Sequence, residues 1–485
     1  MRLAYFSPLN PAPSGISDYS LELLPHLAAH ADITLVVDGY APTDPELKSF
    51  RVIDDRAYTA REFDSALYHL GNSPTHAYVY RRALQEPSVI VLHDLVLHHL
   101  VAWLTINHGD VQGYIAAMGE AYGEHGAALA QRQVLSLDPL NWFDYPLSEA
   151  VVKKARGVIA HSRYVADAVK RFAPNVPVAQ IPHEMPDISL VTQGAARRRL
   201  NLPQNVRLIG TFGNLGPTKR TTVLLDAFRA ARREFPDARL LLVGAASPNF
   251  DIQGLIDLLG LRDVVQFIGY VPFDAFHTYM AAMAVCVNLR YPTAGETSGA
   301  VLRMMALAKP VVVSRVGWFA ELPENAVAKI DVDDHETEQL TVILRRLLDD
   351  PELDNALGEN ARQYVIKHCA VSDAARYYAE FLCAVLEGGA ESKVYGEVQD
   401  GKRETGKEKR EARSEIQNSK FKIAFPRHSS PVTEPALSKA KEHPSPVPLD
   451  WRDEIARAHV ALGLDADDAV LEKVARAIVE LGLSE

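Results

Sequence analysis

The residues best suited to binding or catalysis begin at Tyr291, between two apolar segments. The sequence predicts a strand at 284–289, a helix at 297–308 and a β-branched strand at 311–313. A strand, loop, helix and strand in this order leave unpaired backbone N–H groups at the helix N-terminus, where the helix dipole favours an anion. Glu296 stands just before that helix. It is either part of a polar site or only a cap, since acids are common at a first helical turn.

A second segment that could bind a ligand follows a strand predicted at 206–212. Gly213, Gly216 and Lys219 form a glycine-containing loop with a cation, and a helix is predicted at 221–235. Backbone amides and a cation at a helix N-terminus suit a diphosphate. The spacing matches neither the P-loop nor the GxGxxG pattern, so the loop alone is weak evidence.

Two further candidates follow predicted strands of the N-terminal region. Gly15 lies in the loop after the first strand, where it would let the backbone approach a ligand, although a turn explains it equally well. His93 closes an apolar strand, a place where histidine is more often structural than functional. Asp94 beside it could orient the imidazole or face water. His161 and Ser162 are interpreted as structural, because serine is a good helix N-cap.

Other patterns in the chain favour structural readings. Asp331 and Asp333, like Asp465 and Asp467, have the spacing of a metal-binding Asp-x-Asp, but a turn and helix cap is the simpler interpretation. The chain has three scattered cysteines, which we expect to be free thiols in a reducing cytoplasm. We therefore predict neither a metal site nor a cofactor.

Apolar strands alternate with helical segments along most of the chain. This order predicts an α/β protein with two Rossmann-like, doubly wound parallel sheets, whose ligands bind at the carboxyl ends of the strands. The predicted domains are 1–187 and 188–387. A disordered linker is predicted at 388–450, which is charged and then rich in Pro and Ser. A small helical segment at 451–485 is expected to dock or to mediate oligomerisation.

Composition excludes some classes of protein and favours others. The 485 residues are 47% hydrophobic and 23% charged, which is typical of globular domains with large cores. The net charge is −11, from 51 basic and 62 acidic side chains, and this argues against a nucleic-acid partner. Neither a signal peptide nor a transmembrane segment is predicted.

An insertion at about 95–153 carries Trp103, Trp142, Phe143 and Tyr145. It could recognise an acceptor or simply pack on the first domain.

Across residues 1–387 the chain resembles the family 4 glycosyltransferases. The resemblance is sharpest at Glu296, Ser298 and Gly299, the Lys309 to Val312 run, Gly317 and Glu321, which are similar to the family's donor-sugar segment. It implies a GT-B-type fold, with two Rossmann-like domains facing a cleft, and a retaining reaction. The catalytic residues that it implies are Glu296, His93 and Lys219, and the donor-binding residues are Gly15, Ile16, Gly213, Asn214, Lys219, Arg220, Ser298, Gly299 and Met304.

Two positions depart from the family's pattern. The family usually carries a second Glu eight residues after the first, which commonly binds the ribose, and Met304 occupies that position here. The family's diphosphate loop usually carries an Arg where this chain has Asn214, and Arg220 could compensate for that loss.

The resulting prediction is a metal-independent, retaining hexosyltransferase. It would move a sugar from a nucleotide diphosphate sugar to a hydroxyl of a glycan or lipid-linked acceptor, in the cytoplasm or peripherally at the inner face of the membrane. An alternative is a weakly active or inactive nucleotide-sugar-binding assembly partner, which the departures at Met304 and Asn214 favour. A third interpretation is an NAD(P) oxidoreductase. It is not supported, because the chain lacks a GxGxxG motif after the first strand with an acidic residue about 20 residues further on. The sequence does not specify the nucleotide base or the sugar of the donor, nor the acceptor.

Overall fold

The structure is a computed structural model that describes residues 1–396, apart from positions 13, 138, 139 and 249. Its strands form two sheets, which confirms the predicted α/β class. The strands of the described residues are β1 (Arg2–Phe6), β2 (Asp32–Val37), β3 (Arg51–Asp54), β4 (Ser65–Leu70), β5 (Val89–Leu92), β6 (Gly157–Ala160), β7 (Val178–Gln180), β8 (Leu208–Phe212), β9 (Arg239–Val243), β10 (Val265–Gly269), β11 (Val285–Asn288), β12 (Val311–Ser314), β13 (Ala328–Ile330) and β14 (Lys393–Val394).

Helices connect the strands and cover the sheets. In the described part of the chain they are α1 (Gly15–Leu27), α2 (Ala77–Gln85), α3 (His98–Leu104), α4 (Val111–Val134), α5 (Glu149–Lys154), α6 (Arg163–Phe172), α7 (Gln193–Arg199), α8 (Thr221–Ala231), α9 (Ile252–Leu258), α10 (Phe273–Ala282), α11 (Gly299–Ala306), α12 (Glu336–Asp349), α13 (Pro351–His368) and α14 (Val371–Leu386). None of them is both long and apolar enough to cross a membrane.

Both sheets are parallel and wind outward in two directions from one point. The first has the order β14-β7-β6-β5-β4-β1-β2-β3, and the second has the order β10-β9-β8-β11-β12-β13. The order therefore reverses between β1 and β4 in the first sheet and between β8 and β11 in the second. Ligands of doubly wound sheets bind outside the carboxyl ends of the strands at such points. The loops that follow β1, β4, β8 and β11 are thus the expected places for a site.

Each sheet separates two apolar cores. In β1, Ala4 and Phe6 point into one core, while Leu3 and Tyr5 point into the other. Successive strand residues face opposite sides of a sheet, so a strand covered on both faces is apolar at almost every position. This is why β1, β5 and β11 are visible as short apolar runs in the sequence.

Within the described residues the chain crosses between the two domains twice, at neighbouring places. It leaves the first sheet after β7 and returns between α13 and α14. At the crossing, the Met185 N–H donates to the Cys369 carbonyl at 2.7 Å, and Met185 forms a parallel bridge with Ala370. The chain from 351 to 386 is therefore two helices, α13 and α14, separated at this crossing. Helix α14 then packs on α1, where the Tyr19 and Tyr378 hydroxyls are 2.6 Å apart.

Residues 388–396 belong to the folded body, although the predicted linker begins at 388. Here β14 pairs with β7, and the Tyr395 N–H donates to the Gln180 carbonyl at 2.8 Å. The Tyr395 side chain is only 6% exposed and contacts the Tyr377 ring, 4.9 Å between centroids. The rest of the predicted linker and the predicted helical segment at 451–485 lie outside the described residues.

Candidate functional site

A cleft of about 620 Å³ lies between the two domains, at the carboxyl ends of both sheets. Both domains contribute to its walls through the loops at which the strand orders reverse. The predicted site residues that line it are Gly15, Ile16, His93, Gly213, Asn214, Glu296 and Gly299. The structure thus brings together residues that are up to 284 positions apart (from 15 to 299) in the sequence.

Glu296 lies in the loop between β11 and α11, and its carboxylate is firmly held. One oxygen accepts hydrogen bonds from the Thr293 hydroxyl (2.9 Å) and the Ala294 N–H (2.8 Å). The other is 2.5 Å from Nε of Arg290, and both side chains of this ion pair are more than four-fifths buried. The carboxylate is thus fixed in orientation while it still lines the cleft, as preorganised recognition of hydroxyl groups requires.

Helix α11 begins three residues after Glu296. It places the residue eight positions after Glu296 away from the cleft. Ser298 is its N-cap and accepts a hydrogen bond from the Val301 N–H at 3.3 Å, so its hydroxyl has a structural role. The donor contact predicted at Met304 is corrected, because Met304 has no exposed surface and lies in an apolar core. Arg303, one position earlier, lines the cleft instead. Neighbouring helical residues point about 100° apart, so a shift of one position changes core to cleft.

The loop after β8 places Lys219 behind the wall of the cleft. Its ammonium is 3.5 Å from the Asn288 side-chain oxygen at the end of β11, and it forms no ion pair with any described residue. Burial, and then the positive charge of Arg290, hold the pKa of Lys219 well below its usual value, whereas Glu296 acts in the opposite direction. A bound anion would favour the charged form of this buried ammonium, which has no ion-pair partner among the described residues.

Arg220 does not take the role predicted for it. Its guanidinium pairs with Glu336 of α12, and the residue has a left-handed backbone with φ of 51°. It is not among the residues that line the cleft, and its charge is already paired with Glu336. Arg290 is the cation that the structure places there, because it lines the cleft beside Glu296 and influences Lys219. Its signal in the sequence is a charged residue almost directly after a fully buried strand.

His93 projects from the end of β5 into a cluster of buried rings. Its Nε2 is 3.0 Å from Nδ1 of His69, and its ring meets the Tyr19 ring edge-on at 4.8 Å between centroids. Burial, followed by His161 and other histidines of this cluster, holds the pKa of His93 well below its usual value. The neutral imidazole is therefore the form that faces the cleft at physiological pH.

Gly15 and Ile16 open α1 at the other side of the cleft. Ser14 caps this helix and accepts a hydrogen bond from the Ile16 N–H at 3.2 Å. A Cβ at Gly15 would have no atom within 4 Å, so the glycine borders open space and is not required by packing. The first loop therefore leaves room for a ligand directly above its backbone.

Further contacts hold the two domains around the cleft. Arg303 of α11 pairs with Glu22 of α1 at 2.5 Å. Glu321 accepts hydrogen bonds from the N–H groups of Arg163 (3.0 Å) and Tyr164 (2.6 Å) at the start of α6. Glu321, which resembled part of the donor segment, thus caps a helix of the opposite domain.

Two structural interpretations from the sequence are confirmed. Ser162 accepts a hydrogen bond from the Val165 N–H at 3.2 Å and caps α6. Asp333 accepts one from the His335 N–H at 2.8 Å, while Asp331 pairs with Arg315, so this Asp-x-Asp forms a turn. The second Asp-x-Asp, at 465 and 467, lies outside the described residues.

Comparison with known proteins identifies relatives of part of the chain. Residues 192–364 match the family model described as "Glycosyl transferases group 1". A D-inositol 3-phosphate glycosyltransferase of Thermobispora bispora is 30% identical over 206 residues, covering 40% of this chain and 47% of that protein. The chain thus spans about half the length of the curated relatives it matches.

Solved structures match both domains. A sucrose-phosphate synthase from Thermosynechococcus elongatus has a TM-score of 0.57 at 18% identity, covering 80% of this chain and 100% of that one. HepE of Anabaena in complex with UDP-glucose has a TM-score of 0.56 at 19% identity, covering 79% and 100%. At these identities the likeness concerns the fold, and it confirms the predicted GT-B-type architecture.

Proposed function

Because residues 192–364 are a glycosyltransferase group 1 domain within a GT-B-type fold, we propose that the protein transfers a sugar from a nucleotide diphosphate sugar to a hydroxyl acceptor. The observation that carries this proposal is the composition of the cleft. A fixed carboxylate, Glu296, lies on one wall and neutral His93 on the other, with the cations Lys219 and Arg290 behind Glu296.

The charges of the cleft suit the departure of a diphosphate. When the bond between the anomeric carbon and the phosphate oxygen breaks, its electron pair stays on the diphosphate. Lys219, Arg290 and the backbone amides at the start of α11 supply positive charge on that side. Fixed charges of this kind stabilise a transition state without reorganisation. Because the chain supplies these cations itself, the proposal includes no metal ion and no cofactor.

The finer parts of the proposal concern the substrates and the stereochemistry. We infer a hexosyl donor with retention at the anomeric carbon and a glycan, lipid-linked or phosphorylated polyol acceptor. The names of the relatives guide the first choice of probes, which are UDP-glucose and D-inositol 3-phosphate. A cytoplasmic location, with peripheral contact at the inner membrane face as the alternative, completes the proposal.

The first experiment measures nucleotide binding by thermal shift with UDP, UMP, GDP, ADP and NAD. A nucleoside diphosphate should raise the melting temperature more than its monophosphate does, because the outer phosphate meets Lys219. Stabilisation by NAD alone would contradict the proposal. Release of UDP from UDP-glucose is measured next, and the anomeric configuration of the product is read by NMR.

The second candidate function is an assembly partner that binds a nucleotide sugar without turning it over. Asn214 in the diphosphate loop and Met304 of α11 favour it, since both depart from the pattern of the family that the chain resembles. This candidate predicts binding of the donor with no release of nucleotide in the presence of any acceptor. The same UDP-release assay therefore separates the two functions.

A further inference from the structure

The first-domain wall of the cleft carries negative charge without a compensating cation. Among the described residues that line this wall, the side chains with a carboxylate are Asp18 of α1 and Asp94 after β5, and none is a lysine or an arginine. Burial lowers the pKa of His76 to about 4 and that of His183 to about 3, and it holds that of His93 well below its usual value. These imidazoles are therefore neutral at physiological pH and supply no positive charge.

Asp94 shares a single arginine with Glu296. The Arg290 guanidinium is paired with Glu296, and Asp94 forms no ion pair with a described residue. Burial, and then the negative charge of Glu296, raise the pKa of Asp94 to about 7, while the Asn72 N–H and Arg290 act in the opposite direction. That N–H donates to Asp94 Oδ2 at 2.7 Å, and no described residue donates to Oδ1. Asp94 thus has an oxygen free to accept hydrogen bonds, and two carboxylates here share one positive charge.

Asp18 is in a similar position. Arg303 is paired with Glu22, one helical turn after Asp18, and Asp18 itself forms no ion pair with a described residue. Burial raises the pKa of Asp18, whereas the charge of Arg303 and a hydrogen bond with Asn10 lower it. Two carboxylates again share one guanidinium. Both arginines that line the cleft belong to the second domain and are already paired, so neither is free to hold an anion on the first-domain wall.

We propose that the cleft selects a hydroxyl acceptor that also carries an ammonium group, an amino sugar or an aminocyclitol, with Asp94 as the direct partner of the ammonium. This inference rests on the proposed glycosyl transfer and narrows its acceptor class. The ammonium donates to Asp94 Oδ1 and supplies the positive charge that the wall lacks. Asp18 adds to the negative potential that attracts it. In this role the carboxylates bind the amine and take no proton from the reacting hydroxyl.

The same charges disfavour an acceptor that carries a phosphate. In the proposed reaction the diphosphate of the donor brings further negative charge into the cleft, where Lys219 and Arg290 stabilise it. An acceptor phosphate would face this diphosphate and two carboxylates, and such contacts between like charges exclude a ligand. A neutral polyol can hydrogen-bond to Asp94 but leaves its charge uncompensated. Of the acceptor classes proposed, the phosphorylated polyol is therefore the least suited.

The test compares four cyclitols as acceptors, with the full chain and UDP-glucose as donor near neutral pH. They are an aminocyclitol (inositol with one hydroxyl replaced by an amine), its uncharged N-acetyl derivative, myo-inositol and D-inositol 3-phosphate. We expect kcat/KM for UDP release to be about tenfold or more higher with the aminocyclitol than with myo-inositol or the N-acetyl derivative, as loss of a charge-assisted hydrogen bond predicts. It should be lowest with D-inositol 3-phosphate.

Variants assign the preference to the two carboxylates. Asp94→Asn keeps an oxygen for the Asn72 N–H and removes the charge, so it should reduce the preference for the aminocyclitol over myo-inositol to less than about threefold. Asp18→Asn should reduce it less. UDP affinity, measured by calorimetry, should change less than about threefold in both, because the nucleotide is held by the second domain. Asp167→Asn removes an exposed carboxylate on α6 and should keep the wild-type preference.

The outcomes separate this inference from the proposed transfer. A wild-type protein that uses myo-inositol or D-inositol 3-phosphate as well as the aminocyclitol overturns the inference, while the proposed transfer stands. Binding of UDP-glucose without transfer to the aminocyclitol, or an unchanged preference in Asp94→Asn, also overturns it. If that variant does not fold, the acceptor preference of the wild type decides. A wild-type protein that does not bind UDP-glucose refutes the proposed transfer from this donor, and the inference falls with it.

Discussion

Lys219 offers the sharpest test of how the cleft holds its ligand. Its ammonium has only a 3.5 Å contact to Asn288 and lies behind a wall of the cleft. Lys219→Met keeps the length of the side chain and removes the charge. A charge-assisted hydrogen bond contributes about 1.5–3 kcal/mol, so UDP should bind roughly 10- to 150-fold more weakly. UMP lacks the outer phosphate, and its affinity should change less than about threefold.

The pH dependence of UDP binding gives a second, independent measurement. The pKa of Lys219 is lowered in the free protein, and a bound diphosphate favours the charged form. Below the pKa of the free protein the lysine is charged in both states. Above that pKa, binding takes up a proton, so UDP affinity should fall with rising pH by up to about tenfold per unit. Calorimetry in two buffers of different ionisation enthalpy measures this uptake, and Lys219→Met should abolish it.

Stability distinguishes a ligand contact from a structural cation. Because Lys219 is desolvated without an ion-pair partner, its removal should leave the melting temperature unchanged or raise it. Lys153→Met, at an exposed position of α5, serves as the control for loss of one positive charge. An equal loss of UDP and UMP affinity, or a melting temperature several degrees lower, would refute the role assigned to Lys219.

Two further predictions follow from the site and from the edge of the first sheet. Glu296→Gln should lower UDP release from UDP-glucose by about 10²-fold or more while UDP affinity changes less than threefold, and His93→Ala should act in the same way but more mildly. A parallel loss of UDP affinity would mean that Glu296 contacts the nucleotide. A chain ending after Gly396 should keep the melting temperature of the folded body. Ending after Gly388 should lower it by roughly 3–10 °C, because burial of Tyr395 contributes about 1.5–3 kcal/mol. Equal melting temperatures for the two truncations would show that β14 does not stabilise the sheet.

The strands that could be predicted are those buried on both faces. β1, β5 and β11 are short apolar runs, because helices cover both sides of each sheet. β3 was missed because it is an edge strand with exposed or half-buried side chains, and β14 because it has only two residues, both exposed. The break between α13 and α14 has no proline or glycine at Cys369 and Ala370. It is imposed by the crossing between domains, which local sequence does not record.

Whether a predicted site residue lies at the cleft depends on how far its position is set by the loop or helix that follows the strand. Glycines and polar residues directly after central strands, such as Gly213 and His93, reach the cleft because parallel strands end at the same edge. Met304 was placed by counting from Glu296, which ignores where the helix begins. Arg220 was placed by its neighbour Lys219, and its ion pair with distant Glu336 could not be seen in the sequence.

The double crossing of the chain limits how the cleft can open. Two polypeptide connections lie side by side, and the hydrogen bond from Met185 to Cys369 ties them together. Two adjacent connections restrain twisting of one domain relative to the other far more than they restrain bending between the domains. We therefore expect relative motion of the two domains to be close to rotation about a single axis. The distance between the Lys219 loop and the Asp94 loop then varies with one angle, so a single pair of spectroscopic labels reports the whole movement.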